Sequence, residues 1–317
     1  MSRPPKLALP LRDGVAASVL ACPPGDWPGL LDFLVERMPG VAPAVWQQRL
    51  QQGEVLDERG QVLPLHAPYR PGSRVYYWRS LAQEPRVPFE ARILFQDELL
   101  LVADKPHFLP VLPSGRYVQE TLLTRLRLAT GLAELSPIHR IDRETAGLVV
   151  FSLQPATRGA YQALFRERAV GKVYEAVAGL PEPLGLSLSL SLSLSLPLTR
   201  RSRLMERSEA FMQMEEVPGE PNAETQIELL QRHASLPLAR YRLSPSTGQK
   251  HQLRAHMNAL GLPLLGDRIY PQLLPPEPAD APDYRQPLQL LAQSLSFQDP
   301  ISGQQRRFES ELRLMAF

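Results

Sequence analysis

Residues 137–150 read PIHRIDRETAGLVV and crowd His139, Arg140, Asp142, Arg143 and Glu144 into six positions. Asp142 lies between two arginines, and opposite charges favour the ionised form of a carboxylate. The apolar run that starts at Gly147 predicts a buried strand over 147–153, so Asp142 would sit at the mouth of a rigid element. Such a carboxylate can do catalysis. The same residues would also make a structural ion-pair cluster, and composition alone leaves both readings open.

A second group, SPSTGQKHQLRAH at 244–256, places Lys250, His251, Gln252 and Arg254 just after a turn that Gly248 permits. Arg254 is able to grip a carboxylate or phosphate with two parallel hydrogen bonds. Standing alone, this stretch also reads as a solvated helix start. A third piece, GKVYEAVAG at 171–179, is a predicted strand that puts Lys172 and Tyr174 on one face. Taken singly, a tyrosine at 174 is more often a core residue than a catalytic one. His139, His251 and His256 match no standard spacing for metal ligands, so no metal is expected.

The elements that must carry these groups are legible in outline. Helical spacing follows Asp26 as a cap and Pro28 in a first turn, through Leu30, Leu31, Leu34 and Met38 to a stop at Gly40. Pro43 opens a second helix that carries Trp46 and Leu50 and closes at Gly53. GEVLDERGQVL and RVYYWRS read as strands. Residues 1–25 read as an irregular lead-in, 26–84 as a small module, and Pro85 and Pro88 as brackets of a linker. Beyond it, ARILFQDELLLVADKP predicts two strands about a turn at Gln96–Asp97–Glu98. Helices are expected over 119–130, 155–169 and 250–260. Strands are expected over 171–179 and on both sides of Asp299–Pro300. The order is strand-rich and lacks a βαβ alternation, which predicts an α+β fold with a largely antiparallel sheet. The Leu–Ser run at 186–198 alternates as a strand would, and reads as a low-complexity insertion without a catalytic role.

The chain has 317 residues, 44% of them hydrophobic, with a net charge of +2, which fits a folded protein of one large or two smaller domains. Cys22 is its single cysteine, which excludes an internal disulfide and a cysteine-rich zinc site. No apolar run is long enough to cross a membrane, and the N-terminus makes a poor signal peptide, so a cytoplasmic protein without a membrane partner is expected. Neither a Walker-type phosphate loop nor a dinucleotide fingerprint is present, so no nucleotide cofactor is expected.

Together and in this order, the three pieces resemble the RluA family of RNA pseudouridine synthases. HRIDRETAGL at 139–148 resembles the family's HR-(apolar)-DR-x-T-(small)-GL hallmark. Lys172 and Tyr174 match a K-x-Y, and Thr247–His256 match TG-x-x-HQ-(apolar)-R-x-H. GLPLLGDRIY at 261–270 and LLVADKP at 100–106 match two further family signatures. The likeness spans roughly 90–310. Departures are Ala146 for the usual serine, Gln249–Lys250 for an Arg-Thr pair, and Leu291 for a histidine. Residues 26–84 are similar to an S4-type RNA-binding module, in a degenerate form whose first helix has few basic residues. Both RNA binding and a structural cap remain open for that module.

The resemblance implies a pseudouridine synthase domain over 85–317 that isomerises uridines in structured ribosomal or transfer RNA, as a monomer and without a cofactor. It implies Asp142 as the catalytic carboxylate, as nucleophile at C1′ or as base at C2′. Arg254 would aim it, and Tyr174 would stack on the uracil. It further implies substrate contacts from His139, Arg140, Arg143, Thr145, Lys172, Lys250, His251 and Gln252, with Arg140 as a wedge into the RNA stack. Lys105 joins Arg143, Lys172 and Lys250 as a candidate phosphate contact. Two rivals stand beside this reading. One is an inactive RNA-binding protein on the same fold. The other is a nucleoside or sugar hydrolase, which would need a second catalytic carboxylate.

Overall fold

A computed structural model describes residues 7–81, 83–181, 196–208, 210–275, 278 and 282–315. They form two sheets. The smaller has β1 (Ser18–Ala21), β2 (Val55–Leu56) and β3 (Arg74–Tyr77), antiparallel in the order β1-β3-β2. Alternation along β3 sends Val75 and Tyr77 to a core with Phe33, Leu34, Trp46 and Leu50 from α1 (Leu30–Arg37) and α2 (Pro43–Gln51). Tyr76 and Trp78 face the other way and are covered by Leu7, Leu9, Ala17 and Val19.

Two expectations change here. Residues 1–25 are not wholly irregular, because Ser18–Ala21 pair with β3; four residues among prolines are too few for a visible alternation. The first helix starts at Leu30, with Gly29 extended at its cap, and not at Asp26. Trp27 instead folds back, its indole donating to Glu36 at 2.8 Å and its ring edge meeting Phe33 and Tyr69.

The expected linker is strapped down. The Glu84 carboxylate accepts from the backbone N–H groups of Val118, Gln119 and Glu120 at 2.6, 2.9 and 2.7 Å. Val87 is fully buried against Leu101, Leu109 and Phe151. Arg79 reaches across to the carbonyls of Pro113 and Gly115.

The larger sheet has eleven strands: β4 (Arg92–Gln96), β5 (Leu100–Lys105), β6 (Ser136–Pro137), β7 (Ala146–Ser152), β8 (Gly171–Gly179), β9 (Leu198–Arg207), β10 (Ala210–Val217), β11 (Ala223–Arg232), β12 (Leu238–Pro245), β13 (Leu290–Gln298) and β14 (Gln305–Glu309). The order is β10-β9-β11-β12-β8-β13-β7-β5-β4, with β14 on β13 and β6 on β7. All pairings are antiparallel except that of β7 with β13, which spans only Leu291↔Ala146 and Ala292↔Gly147. Gly147 has φ +109°, and a Cβ there would lie 2.3 Å from the Ala292 carbonyl oxygen, so only glycine allows this join.

Strands β5 and β7 are buried on both faces. Leu101, Ala103, Val149 and Phe151 pack on α3 (Leu122–Thr130), while Leu100, Val102, Leu148 and Val150 pack on Tyr161 of α4 (Pro155–Arg166). α5 (Gln252–Ala259) sets Leu253 and Met257 on β8 and β12. The Leu–Ser run lies outside the described residues as far as 195. No helix among the described residues is long and apolar enough to cross a membrane.

Candidate active site

The loop between β6 and β7 carries Asp142, and its shape is fixed through its backbone. Thr145 N–H donates to the Asp142 carbonyl at 3.2 Å. From the end of β5, the Lys105 amine donates to the carbonyls of Pro106, Leu109 and Arg143 at 3.0, 2.8 and 3.0 Å. Burial pushes that amine down to about 7, with Glu144 and Asp142 pulling the other way. Lys105 is therefore a buried staple for the loop, and the expectation that it meets phosphate is corrected.

The opposite side of the site comes from the start of α5. His251 caps this helix with φ +51°, a left-handed backbone that is strained for a non-glycine residue. Its Nε2 lies 3.9 Å from Asp142 Oδ2, and its Nδ1 is buried without a hydrogen-bond partner. Burial lowers the His251 pKa, while the Asp142 charge opposes the shift. One helical turn along, Arg254 donates to Asp142 Oδ2 at 3.3 Å. The rest of its guanidinium is taken by Asp267, through Nε to Oδ2 at 2.8 Å and Nη2 to Oδ1 at 2.7 Å. Asp267 Oδ1 also accepts from the N–H groups of Ile269 and Tyr270. The side chains of Arg254 and Asp267 are 1% and 0% exposed, whereas that of Asp142 is 29% exposed. Asp142 is thus the accessible end of a buried charge chain.

Asp142 faces a cleft of about 960 Å³, lined by all eleven residues singled out above: Asp142, Tyr174, Arg254, His139, Arg140, Arg143, Thr145, Lys172, Lys250, His251 and Gln252. Their placements differ. Arg140 is exposed at the mouth, and Thr145 is buried in the turn. Lys172 donates to the Thr247 carbonyl at 2.7 Å, and burial, then the Arg168 charge, brings it down to about 8. Tyr174 is pushed above its ordinary range by burial and by the Asp142 charge, so its phenol keeps its proton.

Four expected substrate contacts are engaged within the protein. His139 Nε2 accepts from Val150 N–H at 3.1 Å while its ring stacks on Phe165 at 4.6 Å, and burial holds it neutral, down to about 3. Arg143 binds Glu144 at 2.8 Å and the Tyr117 hydroxyl at 2.9 Å. Lys250 pairs with Glu206 at 2.7 Å. The Gln252 carbonyl accepts from the Thr247 hydroxyl and Gln249 N–H, and its amide donates to the Glu224 carbonyl and the Thr225 hydroxyl. Gln252 thus shapes the turn and has no donor left to offer a substrate.

His256 is also set apart from any metal role, held between Ser202 and Thr225 at 3.0 Å each. Among the described residues, no three His, Cys, Asp or Glu side chains converge as metal ligands. Asp267 went unassigned in the sequence reading, although it lies in the quoted GLPLLGDRIY stretch. Its signal was a lone acidic residue beside a conformationally demanding glycine, Gly266 with φ +75°.

Comparison with known proteins gives this sheet, loop and charge chain their class, an RNA-modifying isomerase. The profile of the RNA pseudouridylate synthase family matches residues 99–259. An uncharacterized RNA pseudouridine synthase of Synechocystis is 32% identical, over 76% of this chain and 79% of its own. The dual-specificity RNA pseudouridine synthase RluA of Escherichia coli is 33% identical, over 69% of this chain and 91% of its own. The solved structure of human RNA pseudouridylate synthase domain containing 1 shares the fold, with a TM-score of 0.55 at 22% identity over 72% of this chain and 86% of its own. The chain belongs to the RluA-type family of RNA pseudouridine synthases.

Proposed function

We propose that this enzyme converts uridines in structured ribosomal or transfer RNA to pseudouridine, with Asp142 as the catalytic carboxylate. The observation that carries the reading is the cleft itself. Among its lining residues, Asp142 is the single carboxylate beside seven cations; Arg143, Arg166, Lys250 and Arg254 are paired with carboxylates outside the lining, and Arg140, Arg168 and Lys172 are left in excess. That balance favours a polyanionic substrate and leaves one group to act on it. It disfavours a two-carboxylate hydrolase.

In this reading, Asp142 acts at C1′ or C2′ of a nucleotide turned into the cleft. Arg254 holds the carboxylate in place through the transfer of the base from N1 to C5. Tyr174, kept protonated, stacks on the uracil, and the proton lost from C5 late in the reaction is balanced by the one taken up at N1. Arg140, exposed at the mouth, fills the gap left in the RNA stack. The module before the linker acts as a cap. Residues 26–84 hold six arginines against seven carboxylates, and so lack the basic excess of an RNA-binding surface.

The test is tritium release from RNA labelled at C5 of uridine. Both RNA classes should come from a strain lacking this gene. The native chain is expected to release label from one class or both, and Asp142→Asn from neither. No release by the native chain from either class would overturn the reading.

A further inference from the structure

Several exposed arginines of the large sheet have carboxylate partners, though Arg203 and Arg232 have none among the described residues. Arg200 pairs with Glu216, Arg201 with Glu224 at 2.6 Å, Arg242 with Glu228 at 3.3 Å and Arg307 with Glu309 at 2.7 Å. Two arginines that line the cleft are also left open. Arg140 and Arg168 are both exposed there, and among the described residues neither has an ion-pair partner. The carboxylate nearest in sequence, Glu167, is turned to Arg166 at 3.3 Å.

Two more observations point the same way. Arg168 follows α4 with φ +59°, a turn conformation that glycine would adopt with less strain. An arginine there is kept against the local backbone preference. Lys172 lines the same cleft, fastened to the Thr247 carbonyl, and its lowered pKa owes first to burial and then to the charge of Arg168. Like charges held together without a carboxylate repel one another, and a bound anion would relieve that repulsion.

We propose that Arg168, with Lys172 close by and Arg140 lining the same cleft, is a subsite for a backbone phosphate of the RNA strand, next to the nucleotide that occupies the cleft. The proposal rests on the RNA reading above and deepens it. The subsite holds the strand by charge, so it acts on binding and leaves the chemical step to Asp142.

The experiment measures binding of a fluorescein-labelled, unmodified transfer RNA transcript to the full chain by anisotropy, between about 50 and 300 mM salt. Arg168→Ala is expected to weaken binding about tenfold and to lower the log–log salt slope by about one. Arg168→Lys should keep the slope. Arg168→Gly should melt at or above the native temperature and still lose the slope, which separates binding from folding. Arg307→Ala, whose partner is Glu309, should change neither. Turnover at saturating RNA should stay within about twofold in every variant. An unchanged slope and affinity in Arg168→Ala would overturn the subsite, as would an equal loss in Arg307→Ala. Salt-dependent binding by the native chain without tritium release would sink the isomerase reading and leave the subsite standing. No binding at all would sink both.

Discussion

Arg254 and Arg168 line the same cleft, yet the chain treats them in opposite ways. Arg254 is almost wholly buried, its fork filled by Asp267 and its remaining nitrogen given to Asp142. Arg168 stands exposed on a strained turn, with no ion-pair partner among the described residues. A group whose position matters at the reacting atoms is over-determined by its neighbours. A group that waits for a ligand is left open, at some cost to the empty protein. The wall formed by 110–114 lies between these extremes, since it faces the cleft but is held through its backbone, by Arg79 at the Pro113 carbonyl and by the start of α3 at the Pro110 and Val111 carbonyls.

The contrast is testable from the floor upward. At the floor, Asp142→Asn should cut turnover by more than about a thousandfold with the fold intact, read by tritium release and circular dichroism. Asp267→Ala should then separate support from chemistry. It leaves Arg254 buried with one side unanswered, and is expected to destabilise by about 3–5 kcal/mol in urea unfolding.

Buried histidines near the floor give a pH signature. Burial brings His256 down to about 4, with Glu216 pulling the other way. Unfolded, its ring takes up a proton near its ordinary value of 6.5, so between these values unfolding binds a proton. Stability should therefore fall as pH drops through that window, by about 1.4 kcal/mol per pH unit for this group. His256→Gln should flatten melting curves taken between those pH values. If the slope is unchanged, the ring is not held neutral.

Beyond that wall, where the linker is strapped to 118–120, Glu84→Gln should cost about 1–2 kcal/mol, because three backbone donors lose a charged acceptor. At the rim, Arg140→Ala should change stability by less than about 0.5 kcal/mol while weakening RNA binding. A large loss of stability there would break the comparison.

Much of this was legible in the sequence, and the limits have physical causes. The run GLVVFSL announced β7 because a strand buried on both faces is apolar throughout. HRIDRETAGL pointed to the loop that carries Asp142 because its charges are concentrated there. Strands β9 to β12 gave no comparable signal. LTRRSRLMER and AETQIELLQR carry charges that are balanced between neighbouring strands, as in Arg201 with Glu224, and such pairing is invisible along one strand. The helix predicted from Asp26 failed because Pro28 and Gly29 break the turn and Trp27 packs backwards. Lys105 looked like a phosphate contact because sequence shows a charge and not its burial. Asp267 escaped because its partner, Arg254, lies on a different element. Arg168 stood out only once the ion pairs around it could be compared.

The join between β7 and β13 bears on how the enzyme comes into being. Asp142 is delivered from one side of that two-residue join and Arg254 from the other, 112 residues later in the chain. Hairpins such as β11–β12 close over short loops and form readily, whereas a contact of this separation is slow to arrive. During synthesis the carboxylate emerges long before its cation, and until both halves dock it has no aim. On the role proposed for Asp142, catalytic competence is tied to this late contact. In refolding, the sheet signal in circular dichroism should recover ahead of tritium release, so that an immature chain meets RNA in the cell without altering it.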